Sequence, residues 1–260
     1  MHNEISFPLH AACGAAYLTA PNIAARHAFS TRLGGVSTGV LESLNLSVRR
    51  GDTPENVREN WRRLGAAAGL DLTRAVYARQ VHSADVRIAH AADAQPPEME
   101  PRFTCDGFVT NEPGVPLAVF MADCLPALLY EPAAGVIGAV HCGWRGAAVA
   151  QMCALGAHPA DIRAAIGPGI GACCFEVGPE VVAAAEALLK EPLGALVCPR
   201  ADGKALLDLK GVNARRLAQL GVPAGQIAVS DACTMCRPDV FWSHRATDGR
   251  RGVQAAVITL

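Results

Sequence analysis

No charge of either sign dominates this chain of 260 residues. Its 23 basic and 24 acidic side chains leave a formal net charge of -1, so no strong global field recruits nucleic acid. The basic pairs Arg49-Arg50 and Arg250-Arg251 are short and read as solvated loop charges. Long apolar runs are missing too. The segments near 113–122 and 132–144 are interrupted by Pro, Gly or His, and neither reaches the roughly 18 residues of a membrane span. The N-terminus has no basic leader and carries Glu4, which makes a poor signal peptide. A soluble, cytoplasmic protein without nucleic-acid or membrane partners is the expectation.

Metal-binding signatures are equally sparse. The eight histidines form no His-x-His pair and no H-x-x-H, and Cys233-Thr-Met-Cys236 has no second C-x-x-C to complete a zinc knuckle. The cysteines of that pair are therefore expected to be reduced and metal-free, with Cys173, Cys174 and Cys105 able to supply ligands only through the fold. Ten cysteines in a chain of this length do not resemble a small secreted disulfide scaffold. Most read as small apolar core residues.

What is present is material for a core. The chain is 51% hydrophobic and 18% charged, far from the composition of a disordered segment. A helix is expected over "TPENVRENWRRLGAAAGL", with Thr53 as its cap, Pro54 in its first turn and Gly69 beyond its end. "PEVVAAAEALLKE" and "LKGVNARRLAQLG" are also helical. "AVYARQVHSADVRIA" alternates as a strand broken near His82-Ser83, and "ADAQPPEMEPR" is a loop. "VPLAVFMADCLPALLYE" reads as a strand, and "GVIGAVHCGWRGAAVAQMCALGA" as a strand running into a helix from about Ala147. "DIRAAI", "QIAVS" and "GVQAAVITL" complete the strands. Without a clean βαβ rhythm, repeat or linker, the expectation is one mixed α/β (α+β) domain over 1–260 with mixed sheets.

Three side chains stand where apolar runs give out: His82 in "RQVHSADV", Cys124 in "FMADCLPA" and His141 in "AVHCGWRG". Imidazole and thiolate together suit zinc or copper, and three ligands leave a tetrahedral ion one open position. Arg145, four residues after His141 at a turn into a helix, and Arg32, just before Gly34-Gly35, are candidates for phosphate or other substrate oxygens. Of the nearby carboxylates, Asp123 beside Cys124 is preferred to Asp85 as catalytic base or ligand orienter. Trp144 reads as packing at the rim of the site, and Cys142 as replacing a small core residue.

Taken in order, "TRLGGVS", "RQVHSADV", "DGFVTNEPGVPLAVFMADCLPALLYEP", "AVHCGWRGA", "AIGPGIGACCFEVGPEV" and "CTMCRPDVFWSHRATDGRRGVQAAVI" resemble the laccase-domain, YfiH-like family. The resemblance runs from about Phe29 to Ile258. Members of that family were long labelled multicopper polyphenol oxidases and are read as zinc-dependent purine nucleoside phosphorylases with adenosine deaminase activity. The resemblance implies a four-layer α/β/β/α fold and matches His82, Cys124 and His141 to the family's metal ligands. It implies zinc as cofactor, with copper as an adventitious substitute. The substrates it implies are phosphate with adenosine, inosine or guanosine, and methylthioadenosine as a further candidate. Three positions depart from the pattern: Cys142 where a small Ala is usual, Gly169 where a Cys is expected, and Phe175 where Tyr is usual.

Two other functions compete. In a copper polyphenol oxidoreductase, two His with one Cys would be a blue-copper set and Met121 a weak axial ligand, but eight histidines without a His-x-His pair are too few for a multicopper cluster. A non-enzymatic zinc-binding protein would instead close the coordination sphere with a fourth protein ligand.

Overall fold

Period-two alternation builds the centre of the protein. Along the strand Val136–Cys142, Val136 and Val140 face one cluster of buried side chains while Ile137 and Ala139 face another. Along Gln254–Thr259, Ala256 and Ile258 point into that second cluster, and Ala255 and Val257 point away from it into a third. Two sheets therefore share one apolar interlayer, and each buries its outer face as well. The computed structural model that shows this describes residues 3–142 and 148–260.

The larger sheet has seven strands in the order 3–5, 227–230, 163–166, 125–131, 136–142, 107–110 and 86–88. It is mixed. Its central pair, Leu125–Glu131 with Val136–Cys142, is antiparallel, while Ile227–Ser230 runs parallel to Arg163–Ile166. The smaller sheet orders its five strands 9–12, 15–18, 26–30, 254–259 and 117–121 and is antiparallel throughout. Short sheets of three and two strands lie beside them.

Helices cover the outer faces. Helix α1 (Pro54–Ala68) places Val57, Trp61 and Leu64 against the five-stranded sheet, the i, i+4, i+7 stripe of an amphipathic helix. Its ends are as the sequence predicts. The Thr53 hydroxyl accepts from the Asn56 amide at 3.2 Å, and Gly69 turns left-handed at φ 66°. Helices α2 (Ala148–Ala154), α3 (Pro179–Leu189) and α4 (Leu209–Gln219) follow. Val149 and Met152 of α2, with Leu209 and Ala214 of α4, close the outer face of the seven-stranded sheet. The layers run helix, sheet, sheet, helix. Helix α3 instead packs with the three-stranded sheet in a separate cluster. Among the described residues no helix is long and apolar enough to cross a membrane.

One expectation is corrected. "VPLAVFMADCLPALLYE" is two strands, Leu117–Met121 in the five-stranded sheet and Leu125–Glu131 in the seven-stranded one. The three residues between them carry the chain from one sheet to the other, with Asp123 in the left-handed region at φ 82°. Both strands are buried on both faces, so no change of hydropathy marks the corner. Cys124 sits at that corner.

Candidate metal centre

The break near His82-Ser83 has a cause 24 residues downstream. The Asp106 carboxylate accepts hydrogen bonds from the backbone amides of Val81, His82 and Ser83 and from the Ser83 hydroxyl, at 2.6–3.2 Å. Those amides are thereby withheld from any strand partner, and His82 turns left-handed at φ 60°, a region histidine visits more readily than most residues. The same carboxylate accepts from His141 Nδ1 at 2.9 Å, at a point where His141 is 5% and Asp106 2% exposed. One acidic side chain thus positions two of the expected ligands. It also fixes the His141 tautomer, with the proton on Nδ1 and Nε2 free to coordinate.

The Cys124 thiol completes the group. Its Sγ lies 3.5 Å from His82 Nε2, and the ligand atoms of His82, Cys124 and His141 all fall within 4.8 Å of one another. The two imidazoles meet edge to face at 4.9 Å. Zinc–sulfur and zinc–nitrogen bonds of about 2.3 and 2.0 Å at a tetrahedral angle separate S from N by about 3.5 Å, so the spacing fits one ion. The charges fit as well. Burial pushes the Cys124 thiol up, but hydrogen bonding to His141 and His82 outweighs it and brings the thiol down to about 6. Burial likewise disfavours the His141 cation, and Asp106 and Cys124 reverse this, raising it to about 9. Burial also opposes ionisation of Asp106, yet its contacts with His141 and Ser83 hold it well below the usual carboxylate range. A thiol that ionises readily and an ionised carboxylate thus give the site the negative charge that a cation needs. The group can hold a metal ion.

Asp106 was not among the carboxylates the sequence singled out, because it pairs with His141 across 35 residues. Asp106→Asn is expected to weaken metal affinity about 10- to 100-fold, the usual cost of losing an outer-shell partner, with the fold intact. Competition with a chromophoric chelator measures it, and wild-type affinity in Asp106→Asn would remove the role.

The three ligands line a cleft of about 300 Å³ together with Gln80, Arg50 and Arg251. Arg251, expected to be a solvated loop charge, is instead drawn inward. Burial and the neighbouring Arg50 charge bring its guanidinium down to about 10, so it remains cationic at neutral pH. Its Nε is buried with no hydrogen-bond partner among the described residues. A half-buried cation lining a cleft is a place for an anion. Arg49 and Arg50 stand exposed at the rim.

The remaining candidates fall elsewhere. Arg32 is not among the described residues that line the cleft. Its guanidinium donates to the Glu42 carbonyl at 2.5 and 3.1 Å and to the Pro238 carbonyl at 2.9 Å, and stacks 4.0 Å over Trp242. Its donors tie loops together rather than reach for substrate. The Asp123 carboxylate lies behind Cys124, accepting from the Thr234 hydroxyl and the Arg245 amide, each at 2.6 Å. Those bonds anchor the corner that carries the thiol, and Asp123 does not line the cleft among the described residues. Arg145 and Trp144 lie outside the described residues, as does the Cys142 side chain. At Gly169, the position where the resemblance expects cysteine, a Cβ would meet Leu125 Cδ2 at 2.3 Å and the Asp123 carbonyl at 2.9 Å. This backbone has no room for a thiol there.

Comparison with known proteins identifies the family. A protein of Deinococcus radiodurans named purine nucleoside phosphorylase is 43% identical over 95% of this chain and 94% of its own length. A protein of an unknown prokaryotic organism named adenosine deaminase RL5 is 36% identical, covering 84% of this chain and 87% of its own. The crystal structure of YlmD from Geobacillus stearothermophilus superposes with a TM-score of 0.85 at 36% identity, over 97% of this chain and 98% of that one. The family described as multi-copper polyphenol oxidoreductase laccase matches residues 26–260. The chain belongs to that laccase-domain family, together with the YfiH and YlmD proteins.

Proposed function

We propose that this protein is a zinc-dependent purine nucleoside phosphorylase that also deaminates adenosine. The observation that carries the reading is the cleft itself. A His82–Cys124–His141 group and the cationic Arg251 line the same cleft, in a chain whose relatives bear the names of both activities.

In phosphorolysis a phosphate oxygen bonds to the anomeric carbon of ribose as the bond to the purine nitrogen breaks. The electron pair leaves with the base, which takes up a proton. Zinc, when bound, supplies Lewis acidity to both reactions. Arg251, whose side chain lines the cleft, holds the phosphate through its charge, with Arg50 at the rim adding field, and Arg145 is a second phosphate contact on sequence grounds. Asp106 keeps His141 and His82 aimed into the cleft, and Asp123 holds the Cys124 corner through Thr234 and Arg245. Neither carboxylate is assigned the proton transfer.

One thiolate with two imidazoles suits zinc or copper alike, and zinc is preferred because neither phosphorolysis nor deamination changes an oxidation state. Among the described residues the other metal-capable group is made of cysteines alone, so no second histidine cluster supports multicopper chemistry. Among the described residues no fourth protein ligand joins the three, which favours an open catalytic site over a closed structural one. Purified protein incubated with inosine is expected to release hypoxanthine and ribose 1-phosphate only when phosphate is present. Activity should vanish on chelation and return with zinc. If neither inosine, adenosine nor guanosine yields free base under zinc-replete conditions, the phosphorylase reading fails.

A further inference from the structure

The C-x-x-C pair that lacked a partner in the sequence has one in the fold. The turn after strand Arg163–Ile166 carries Cys173 and Cys174, and the segment after the neighbouring parallel strand Ile227–Ser230 carries Cys233 and Cys236. The two segments are laced together by the backbone. The Thr234 amide donates to the Gly169 carbonyl at 3.1 Å, and the Gly171 amide donates to Cys233 Sγ at 3.2 Å. Gly171 also lies so close that a Cβ there would sit 3.3 Å from Cys173 Sγ and 3.5 Å from Cys233 Sγ.

All four sulfurs fall within 4.8 Å of one another. Cys236 Sγ is 3.5 Å from Cys173 Sγ and 3.4 Å from Cys174 Sγ. A disulfide needs about 2.05 Å, and all four are free thiols. Four thiolates bound to one zinc at about 2.3 Å stand about 3.8 Å apart, close to the 3.4 and 3.5 Å measured from Cys236 and inside the 4.8 Å that spans the group. An iron–sulfur cluster, with bridging sulfides between its irons, would hold its cysteines further apart than a single ion does. Cys105, the other cysteine considered as a ligand, is buried elsewhere, with its thiol on the Gly107 carbonyl at 3.6 Å.

We propose that Cys173, Cys174, Cys233 and Cys236 bind a second zinc ion in a closed tetrathiolate site, distinct from the His82–Cys124–His141 centre. This replaces the expectation that Cys233 and Cys236 are metal-free. Four protein sulfurs leave no position for water or substrate, so the site is structural. Its place in the fold says what it steadies. Thr234, inside the C-x-x-C, donates to the Asp123 carboxylate at 2.6 Å, and the Ile170 amide donates to the Asp123 carbonyl at 2.8 Å. The tetrathiolate site therefore clamps both segments that hold the corner bearing Cys124.

Metal analysis of protein purified under reducing conditions tests this directly. Wild type is expected to carry two zinc ions per chain. The double variant Cys233→Ser/Cys236→Ser should carry one and lose about 5 °C or more in Tm, the scale of a few kcal/mol in a chain of this size. Cys124→Ala should also carry one, and X-ray absorption of that remaining zinc should show four sulfur neighbours at about 2.3 Å. This second measurement does not require the serine variant to fold. One zinc per chain in wild type, lost entirely in Cys124→Ala, would overturn the site. So would a disulfide among the four cysteines in non-reducing peptide mapping, or iron with acid-labile sulfide in the purified protein.

Discussion

Cys124→Ala protein is expected to lose the zinc of the mixed centre, and with it at least about 10³-fold in kcat/KM for inosine plus phosphate. The magnitude is that of removing a pre-organised electrostatic stabiliser from an active site, about 4 kcal/mol of transition-state stabilisation. Only two imidazoles remain, one of them on the exposed His82, and two neutral ligands hold zinc far less firmly than a set with a thiolate. The fold should survive, since the Cys124 side chain is small and only partly buried. His141→Ala should lose the same metal and activity but cost stability as well. It strips the buried Asp106 of its Nδ1 donor, leaving an ionised acceptor short of a partner at about 1–3 kcal/mol. Zinc content, turnover and Tm separate the two variants. Full occupancy of the mixed centre in both would remove it from the mechanism.

The second large effect concerns Arg251. Replacing it with Met keeps the length of the stem and removes the charge and the guanidinium donors. One charge-assisted contact of roughly 2–3 kcal/mol corresponds to about 30- to 150-fold in kcat/KM for phosphate. Adenosine deamination consumes water rather than phosphate and should fall far less. Arg32→Met serves as the control. Its donors serve the Glu42 and Pro238 carbonyls, so it should lower stability without singling out phosphate. If Arg251→Met reduces both activities equally, Arg251 supports the nucleoside or the fold, and Arg145 becomes the better phosphate candidate.

Local signals in this chain were legible without coordinates. Thr53, Pro54 and Gly69 bound α1 because a cap, a fixed φ and a left-handed stop act within one turn of helix. Strands such as Gln254–Thr259 show in their apolar composition, and His82, Cys124 and His141 could be singled out because each stands where an apolar run stops. The features that turn those three into a site depend on pairs far apart in the chain. Asp106 reaches His141 over 35 residues, and the C-x-x-C meets Cys174 over 62. The corner at Asp123 joins two sheets without any change of hydropathy. Arg251 resembles its neighbour Arg250 in sequence, yet it lines the cleft beside Arg50. Backbone propensity and periodicity are properties of a dozen neighbouring residues, and the sequence determined what they control. Ligand orientation, burial of a charge and the meeting of four thiols depend on strand order and register, which only the packing of the two sheets decided.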